Sequence, residues 1–432
     1  MYSAYITTLK ELRKHENADR LQCCVVFGNN VIVDLSYKEG QKVVFFPVDG
    51  QLSEEFANDN NLVRKKDEDG NNIGGYLNPD KRNITALKLR GEKSEGLALP
   101  VEVLDKYTDS SKLEDGEQIT VLNGYEICKK YIPENRQISE NKSKNKSKTK
   151  KSKEKITYPL FIEHSDTAQL AYAQRNFKYG DTCYITLKMH GTSARTANTI
   201  QVIKKKRKLF LKKIFKLKDK EIKKFTCTSG TRRTILNNYV GGYYGSNEFR
   251  QKYHELFKDK LPKGMEVYYE IVGWDKPEHT IMGTCSNSKV KDKEFVKQYG
   301  KNTVFSYGCK AGENDCYIYR MTMMNEDGFM VELPWEQVQI EAEKIGAKCV
   351  PTFEKFIFTT WEDLMERVMK YYDAADPIDS THIREGVVVR IDNRPTFTAY
   401  KHKNFYFKVL EGIIKDNADA PDMEEAEDIV MC

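Results

Sequence analysis

The sequence lacks any long apolar run, and this absence sets the first limit on what the protein can be. No stretch of the 432 residues approaches the ~18 uncharged apolar residues of a membrane-spanning helix. The first twelve residues also lack the apolar centre of a signal peptide. We therefore expect no membrane partner and a cytoplasmic location, with the nucleus left open by the basic run KKKRK at 204–208.

Paired cysteine motifs are absent as well. None of the ten cysteines forms a C-x-x-C pair, and the seven histidines show no ligand-like spacing with them. This pattern argues against a structural zinc site. Without a secretion signal it also argues against a disulfide framework, so we expect free thiols in a reducing compartment.

Apolar residues are not scarce. Hydrophobic residues make up 39% of the chain, with 20 Phe and 25 Tyr, which excludes global disorder. At about 150 residues per domain, the length predicts two or three domains.

The net charge of +6 is small, but its distribution is uneven. Residues 142–155 hold eight Lys and one Glu, and residues 204–224 hold eleven Lys, one Arg and two acids. The tail, 416–432, has seven acids and no base, typical of a solubilising end or of a competitor for the basic segments. The basic segments favour a polyanionic partner, while a solvated face, a membrane surface or a localisation signal are alternatives for 204–224.

A Lys/Ser-rich linker at 134–157 divides the chain, because it contains almost no apolar residue to bury. The part before it, 1–133, has short Val-, Ile- and Phe-rich runs separated by turn signals, which predicts a small β-barrel or sandwich. One short helix is predicted at 53–62, with Ser53 as its N-cap.

The part after the linker mixes strand-like and helical patterns. The predicted strands are 181–196, 264–274, 302–309 and 385–392. Helical spacing is found at 334–346 and 361–373. The whole chain is therefore predicted to be α+β with mainly antiparallel sheets.

Several ionisable residues stand in or beside the apolar strands of this second part. Lys188 and His190 lie on one face of a strand that runs into a Gly-containing bend, if the strand extends that far. Glu270 lies within VYYEIVGW, Glu385 precedes an apolar strand, and AYKHK holds two lysines that share a strand face. Each one alone is most simply an ion pair on a strand rim. The ordered set is much harder to obtain by chance.

This ordered set resembles the covalent nucleotidyltransferases, the superfamily of ligases and capping enzymes. Lys188-Met189-His190-Gly191 matches its nucleophile motif in the K-x-H-G form found among RNA ligases. The later motifs match, in order, Glu270, Phe305 or Tyr307, Glu385-Gly386, and Lys401 with Lys403.

Segments outside these motifs are similar to the Deinococcus-type ATP-dependent RNA ligases, which carry an OB-like module in front. They are FFPVDGQLSEEF (45–56), LKLRGEKSEGLALP (87–100), FIEHSDTAQL (161–170) and LKMHGTSART (187–196). The resemblance implies an OB-like β-barrel over 1–133 and an adenylyltransferase (ATP-grasp-like ligase) domain with antiparallel sheets over 158–415. The linker 134–157 and the acidic tail 416–432 complete the predicted organisation.

The resemblance also implies roles. The expected catalytic residues are Lys188, His190, Glu385, Lys401 and Lys403. The expected nucleotide-binding residues are Lys188, Gly191, Arg232, Arg233, Glu270, Phe305, Tyr307, Lys401 and Lys403. Glu270 and Glu385 are the expected ligands of Mg²⁺, for which Mn²⁺ can substitute. Two positions depart from the family pattern: Leu187 replaces a Glu, and His190 replaces the usual Asp. The family's conserved arginine corresponds to either Arg232 or Arg233.

The implied reaction is ATP-dependent sealing of RNA with 3′-OH and 5′-phosphate ends, through lysyl-AMP and adenylylated RNA, in RNA repair. Lys188 must lose its proton before it attacks, which requires its pKa to fall from about 10.4; nearby cations favour this. The partner is RNA, in a duplex or single-stranded, and we expect a monomer.

Other functions remain open. A non-catalytic nucleic-acid-binding protein would need only a barrel and basic patches. Capping guanylyltransferases and DNA ligases carry an OB domain after the fifth motif, whereas only 24 residues follow Lys408 here. We therefore favour an RNA ligase.

Overall fold

The structure is a computed structural model that describes residues 2–70, 73–132, 154–164, 166–205, 220–236, 239, 244 and 246–416. Most of the Lys/Ser-rich linker, the centre of the 204–224 basic stretch and the acidic tail after residue 416 lie outside these residues. The predictions made for them therefore stay predictions. In the described part, no helix is both long and apolar enough to cross a bilayer.

Strands dominate this mixed α+β structure. The strands are β1 (Ala4–Thr8), β2 (Lys10–Lys14), β3 (Leu21–Val26), β4 (Asn29–Asp34), β5 (Lys42–Pro47), β6 (Gly50–Leu52), β7 (Leu87–Leu89), β8 (Glu92–Ser94), β9 (Gly96–Pro100), β10 (Gln118–Ile119), β11 (Val121–Leu122), β12 (Tyr125–Glu126), β13 (Cys128–Lys130), β14 (Glu154–Thr157), β15 (Ala168–Gln169), β16 (Thr182–Lys188), β17 (Thr192–Lys205), β18 (Lys220–Gly230), β19 (Met265–Lys276), β20 (His279–Thr280), β21 (Cys285–Ser286), β22 (Asn302–Thr303), β23 (Asn314–Met324), β24 (Met330–Glu332), β25 (Lys348–Cys349), β26 (Thr352–Ile357), β27 (Gly386–Ile391) and β28 (Ala399–Lys403). The α-helices are α1 (Glu54–Asp59), α2 (Glu248–Phe257), α3 (Lys293–Tyr299), α4 (Trp335–Ile345), α5 (Trp361–Tyr372) and α6 (Phe405–Asp416).

The chain divides into two compact units that do not follow the order of the sequence. The first takes its described residues from Met1–Glu134, Asn287–Val296 and Phe405–Asn417. The second takes them from Asn135–Ser286 and Lys297–Asn404. Two segments from the later part of the chain thus belong to the first unit.

The first unit is built on a four-stranded sheet, β10-β1-β5-β9, and a three-stranded sheet, β2-β3-β4. Its larger core packs α1 and the inner faces of β1, β5 and β9 together, with Phe46 and Phe56 fully buried. Ser53 caps α1 as predicted, because its hydroxyl accepts a hydrogen bond from the Phe56 amide. In the described residues the sheets do not join into a closed ring, so the OB-like barrel remains a prediction.

Helix α6 is fastened to the first unit by charged and aromatic contacts. The ammonium group of Lys408 lies 2.9 Å from the carboxylate of Glu95 and donates to the side-chain oxygen of Asn29. The hydroxyl of Tyr406 donates to Asp292, which also binds Lys88. These partners are largely buried, so α6 is an integral part of this unit.

The second unit contains two large sheets. The first is eight-stranded and runs β14-β17-β19-β23-β24, with β18, β20 and β25 paired at its sides. The other is five-stranded, in the order β15-β28-β27-β16-β26. Most pairs are antiparallel, as predicted; β15 with β28 and β23 with β25 are parallel. Helix α5 packs its apolar face on the five-stranded sheet through Leu364 and Val368.

Most predicted elements are confirmed, and two differ from the prediction. The segment 181–196, predicted as one strand, forms β16 and β17 with residues 189–191 between them, so His190 lies outside the strand that holds Lys188. Helices α4 and α5 occupy the predicted segments 334–346 and 361–373. The predicted strand 302–309 ends at Thr303, and residues 304–309 form a loop. The backbone of Tyr307 there has φ +49°, which lies outside the extended region of a regular strand.

Candidate active site

Strand register brings three predicted lysines to one sheet face. Lys188, at the end of β16, pairs with Gly386 of β27, and Gly386 pairs with Lys403 of β28. Two residues along, Val388 pairs with Lys401. Because side chains alternate along a strand, Lys188, Lys401 and Lys403 project from the same face, as the sequence predicted for the last two.

A buried carboxylate holds two of these lysines. Glu385 is only 1% exposed, and one of its oxygens lies 2.7 Å from Lys188 Nζ and 3.2 Å from Lys403 Nζ. Its other oxygen is 3.8 Å from the ring nitrogen Nδ1 of His190. Neither oxygen accepts a hydrogen bond of regular geometry from the described residues. The carboxylate is therefore held mainly by ion pairing, and its lone pairs remain suited to a hard cation.

A pocket opens above this sheet face, and its empty space, counted to the open mouth, is about 790 Å³. Four of the predicted site residues line it together: Lys188, Arg232, Glu270 and Lys401. The pocket is lined in full by His164, Asp166, Thr167, Thr186, Leu187, Lys188, Met189, Ser193, Arg232, Glu270, Tyr319, Val350, Val388, Arg390, Phe397, Ala399 and Lys401.

The eight-stranded sheet supplies the opposite wall. Ser193 of β17 pairs with Glu270 of β19, so both reach the pocket from adjacent strands. Tyr319 has no partner in the register between β19 and β23, where Tyr268 pairs with Arg320 and Tyr269 with Ile318. This bulge turns Tyr319 toward the pocket, where its hydroxyl lies 3.2 Å from that of Ser193.

The two candidate arginines are separated by the structure. Arg232 lines the pocket and forms an ion pair with Asp166, whereas Arg233 is exposed and does not line it. Of the two, only Arg232 is therefore placed to touch a ligand in this pocket.

His164 is a pocket residue that the motif comparison did not single out. Its Nδ1 lies 2.9 Å from a guanidinium nitrogen of Arg320, which can only donate, so Nδ1 is an acceptor and the ring proton is on Nε2. Burial, followed by the charge of Arg320, holds the pKa of His164 well below its usual value. His164 is therefore a neutral hydrogen-bond donor in a pocket rich in cations.

Phe305 and Tyr307, the predicted adenine-stacking residues, do not line the pocket. Phe305 is 1% exposed and packs edge-on against the ring of His190, with centroids 4.7 Å apart. Tyr307 is also buried, and its hydroxyl oxygen accepts a hydrogen bond from the His190 amide at 2.7 Å. Both contact His190, in the turn that follows Lys188, from outside the pocket. Tyr319 is the aromatic residue that the eight-stranded sheet presents to the pocket.

The two motif glycines are required by close packing. A Cβ at Gly191 would lie 2.4 Å from the carbonyl oxygen of Ile271. A Cβ at Gly386, which has φ +147°, would lie 2.1 Å from the carbonyl oxygen of His402. Gly191 does not line the pocket; it lets the turn after Lys188 pack against β19.

Ligands for a metal are few in the site. The described residues contain no group of three or more His, Cys, Asp or Glu side chains arranged to hold an ion. Glu270 and Glu385 supply carboxylate oxygens, the ligands that Mg²⁺ prefers, and this ion commonly keeps several waters. In chemical type, these two carboxylates suit an ion that keeps most of its waters, such as Mg²⁺ or Mn²⁺.

Comparison with known proteins gives the family of the chain. Residues 181–410, more than half of the chain, match the RNA ligase family, and the chain belongs to that family. Solved structures of Naegleria gruberi RNA ligase are similar in fold. A lysine-to-methionine variant with AMP and Mn matches with a TM-score of 0.56 and 17% identity, covering 94% of this chain and 97% of that chain.

Two further structures of the same Naegleria gruberi enzyme match over 94% of this chain at 16% identity. A lysine-to-alanine variant with ATP and Mn has a TM-score of 0.56 and is covered over 98% of its length. The enzyme with pyrophosphate has a TM-score of 0.54 and is covered over 97%. A search of curated proteins gives no match.

Proposed function

We propose that this protein is an ATP-dependent RNA ligase that joins 3′-OH and 5′-phosphate ends through a lysyl-AMP intermediate and serves RNA repair. The observation that carries the proposal is the position of Lys188 at the floor of the pocket, beside the buried Glu385. Membership of the RNA ligase family supports the class of reaction. ATP as co-substrate is supported by the fold similarity to a ligase solved with ATP and AMP.

In the first step, a bond forms between Lys188 Nζ and the α-phosphorus of ATP, and the bond to the pyrophosphate oxygen breaks. Lys188 must give up a proton beforehand, because an ammonium nitrogen has no lone pair. Lys401 and Arg232 line the same pocket, so they are placed to neutralise charge on the phosphate oxygens. Lys403 forms an ion pair with the same carboxylate oxygen of Glu385 that Lys188 contacts.

Glu385 and Glu270 are the residues that would hold a hydrated divalent cation. When bound, such a cation supplies positive charge that offsets the charge developing on the transferred phosphate. Val388 and Tyr319 line opposite walls of the pocket and provide apolar and aromatic surface for a planar base. His164 adds a fixed donor to the same pocket.

In the later steps, a 5′-phosphate oxygen of RNA attacks the AMP phosphorus and frees Lys188. A 3′-hydroxyl then attacks the 5′-phosphorus and AMP leaves. The Lys-rich segments at 142–155 and 204–224 favour contact with an RNA backbone by charge. We propose that the protein acts as a monomer on RNA, with templated ends among its substrates.

The test is covalent labelling. The protein is mixed with Mg²⁺ and ATP labelled at the α-phosphate, and denaturing gels compare wild type, Lys188→Ala and Lys355→Ala. Lys355 is a solvent-exposed, ion-paired lysine outside the pocket and serves as the matched control. We expect label on wild type and Lys355→Ala only.

The other outcomes identify the alternatives. Label on Lys188→Ala would place the nucleophile elsewhere. Label from GTP but not from ATP would indicate a capping guanylyltransferase. No label from either nucleotide, together with retained RNA binding, would indicate a non-catalytic RNA-binding protein.

A further inference from the structure

The hydroxyl of Tyr307 makes a contact that the proposed chemistry does not use. It accepts the hydrogen bond of the His190 backbone amide at 2.7 Å, directly beneath the turn that follows Lys188. His190 and Tyr307 are both more than nine-tenths buried. A buried amide without a partner costs free energy, so this hydrogen bond stabilises the turn in its observed conformation.

The loop that carries Tyr307 is itself anchored. One carboxylate oxygen of Asp379 accepts from the Ser306 hydroxyl at 2.6 Å and from the Gly308 amide at 3.0 Å, on either side of Tyr307. Burial alone would raise the pKa of Asp379, but hydrogen bonds, that of Ser306 first, lower it to about 2. The anchor therefore stays charged at every working pH.

The backbone of Tyr307 is in an unusual conformation. Its φ is +49°, in the left-handed region that residues other than glycine seldom adopt. Two hydrogen bonds to Asp379 and the ring contact with His382, at 4.8 Å between centroids, hold it there. Strain of this kind persists only where the surrounding structure fixes it, and it is common beside functional sites.

The phenol remains neutral in this environment. Burial, followed by the nearby carboxylate of Asp376, raises the pKa of Tyr307 well above its usual value. Tyr307 does not line the pocket, so its ring has no direct route to a bound nucleotide. Its effect on the reaction has to pass through the turn that it supports.

We propose that Tyr307 is a positioning residue, which fixes the Lys188–Gly191 turn through the His190 amide and so aims the Lys188 amine for the first transfer. The inference rests on the proposed function. It separates the two aromatic candidates of the sequence by role, since Phe305 packs on the His190 side chain and Tyr307 fixes the His190 backbone.

The experiment compares Tyr307→Phe with wild type and with Tyr253→Phe. The control also loses a buried hydroxyl, one that donates to Asn314 at 2.8 Å away from the pocket. Single-turnover formation of lysyl-AMP is followed over a range of ATP concentrations with Mg²⁺. Sealing of RNA that already carries the 5′-adenylyl group is measured in parallel, because that step does not use Lys188 as a nucleophile.

We expect Tyr307→Phe to lower the maximal rate of lysyl-AMP formation about tenfold or more, the effect of one lost buried hydrogen bond. The half-saturating ATP concentration and the sealing of adenylylated RNA should stay within about threefold of wild type, and Tyr253→Phe should be unchanged throughout. A rise in half-saturating ATP, an equal loss in both steps or an unaltered rate would each overturn the inference.

A second variant keeps the test decisive if Tyr307→Phe does not fold. Ser306→Ala removes one of the two donors that fasten the loop to Asp379 and should slow the same step about threefold. If Tyr307→Phe does fold, the double variant should be no slower than that single variant, because both changes act through one contact. Independent losses in the double variant would contradict the inference. If wild type forms no lysyl-AMP, the proposed function fails and this inference with it; a labelled wild type with unaltered variants overturns this inference alone.

Discussion

Glu385 is the carboxylate that forms ion pairs with two lysines of the candidate site. It is 1% exposed and lies between two ammonium groups whose side chains are only 13% and 10% exposed. Removing one partner of a buried ion pair is costly because the others remain desolvated.

We predict that Glu385→Gln destabilises the protein by about 3 kcal/mol and lowers lysyl-AMP formation by about 100-fold or more. The matched control is Glu95→Gln, which breaks a similarly buried pair with Lys408 in the first unit. It should destabilise by a similar amount and keep lysyl-AMP formation within about threefold. Equal activity of the two variants in labelling assays would contradict a role for Glu385 in the reaction.

His164 gives the folded state a pH dependence whose sign follows from its lowered pKa. In the unfolded chain the imidazole takes up a proton below about pH 6.5, while the folded protein resists this, so stability falls as pH falls below that value. His164→Gln should reduce the slope by up to about 1.4 kcal/mol per pH unit below about pH 6. Urea unfolding at a series of pH values measures how stability changes with pH in wild type and in His164→Gln. The two proteins should show the same pH dependence near pH 8, whereas the same pH dependence in acid would refute a lowered pKa of His164.

Tyr319 is the residue that we expect to contact the base. Tyr319→Leu should raise the half-saturating ATP concentration about tenfold, since stacking on an aromatic ring contributes about 1–3 kcal/mol per base. Tyr319→Phe, which keeps the ring, is the control and should bind ATP as wild type does. Kinetics of lysyl-AMP formation distinguish them, and a normal ATP dependence in Tyr319→Leu would exclude stacking.

At the residue scale, the sequence predicts those features of the site that follow from the alternation of side chains along a strand. Lys401 and Lys403 share a face because they are two apart on one strand. The spacing of residues in the sequence does not show which of Arg232 and Arg233 lines the pocket. It also does not show that Tyr319 faces the pocket. A bulge sets the direction of Tyr319, and bulges depend on how two strands meet.

Among the elements, the pairing of β27 with β28 is the one that the site depends on most. Gly386 begins β27 with its α-carbon almost against the His402 carbonyl of β28. A side chain there must separate the two strands at the point where Glu385 and Lys403 meet.

We predict that Gly386→Ala lowers the free energy of unfolding by about 3 kcal/mol or more and abolishes lysyl-AMP formation, because the clash is with backbone. The control, Gly346→Ala, also has positive φ, at +78°, but nothing lies within 4 Å of the added Cβ. It should cost only about 1 kcal/mol and retain activity. Thermal unfolding measures the stability of both variants, and labelling with ATP measures their lysyl-AMP formation. Similar behaviour of the two variants would show that β27 and β28 move apart enough to accept the added Cβ at Gly386.

The loop 304–309 was predicted as a strand because its sequence pattern does not show the distant contact that bends it. Its residues alternate like a strand, but Asp379, more than seventy positions later, binds Ser306 and Gly308 and bends the chain. By contrast, α4 and α5 follow local periodicity and a local cap, Thr360 in the case of α5, and were predicted.

At the scale of the whole molecule, we propose that RNA binding depends on the Lys-rich segments and that the reaction with ATP depends on the pocket. Serine at the seven lysines between residues 142 and 153 should make RNA affinity less dependent on salt, because fewer counterions are released. Formation of lysyl-AMP should stay within about twofold, since we propose that ATP binds in the pocket and not to this segment. Binding titrations over a salt series measure how steeply RNA affinity falls with salt concentration. The control carries the same residues of the segment in shuffled order; it keeps the charge and should keep this salt dependence. An unchanged salt dependence in the serine variant would exclude this segment from RNA contact.

The grouping of distant segments could not be predicted from the sequence. The Lys/Ser-rich segment suggests a single division of the chain, whereas the first unit also contains Asn287–Val296 and Phe405–Asn417. No local pattern marks these segments, because their partners, such as Glu95 for Lys408, lie hundreds of positions away. The position of the domain boundary at 134–157 stays a prediction.

Helix α6 has a consequence for how this architecture can be inherited. It follows Lys403 after a single residue, yet its Lys408 pairs with Glu95 in the first unit. One genetic crossover in the Lys/Ser-rich segment would therefore join the later part of one chain to the front part of another, and helix α6 would then pack against residues that did not evolve with it. Exchange of the front unit between ligases requires matched changes at three places in the gene, so we expect the two units of this lineage to have evolved together rather than as interchangeable cassettes.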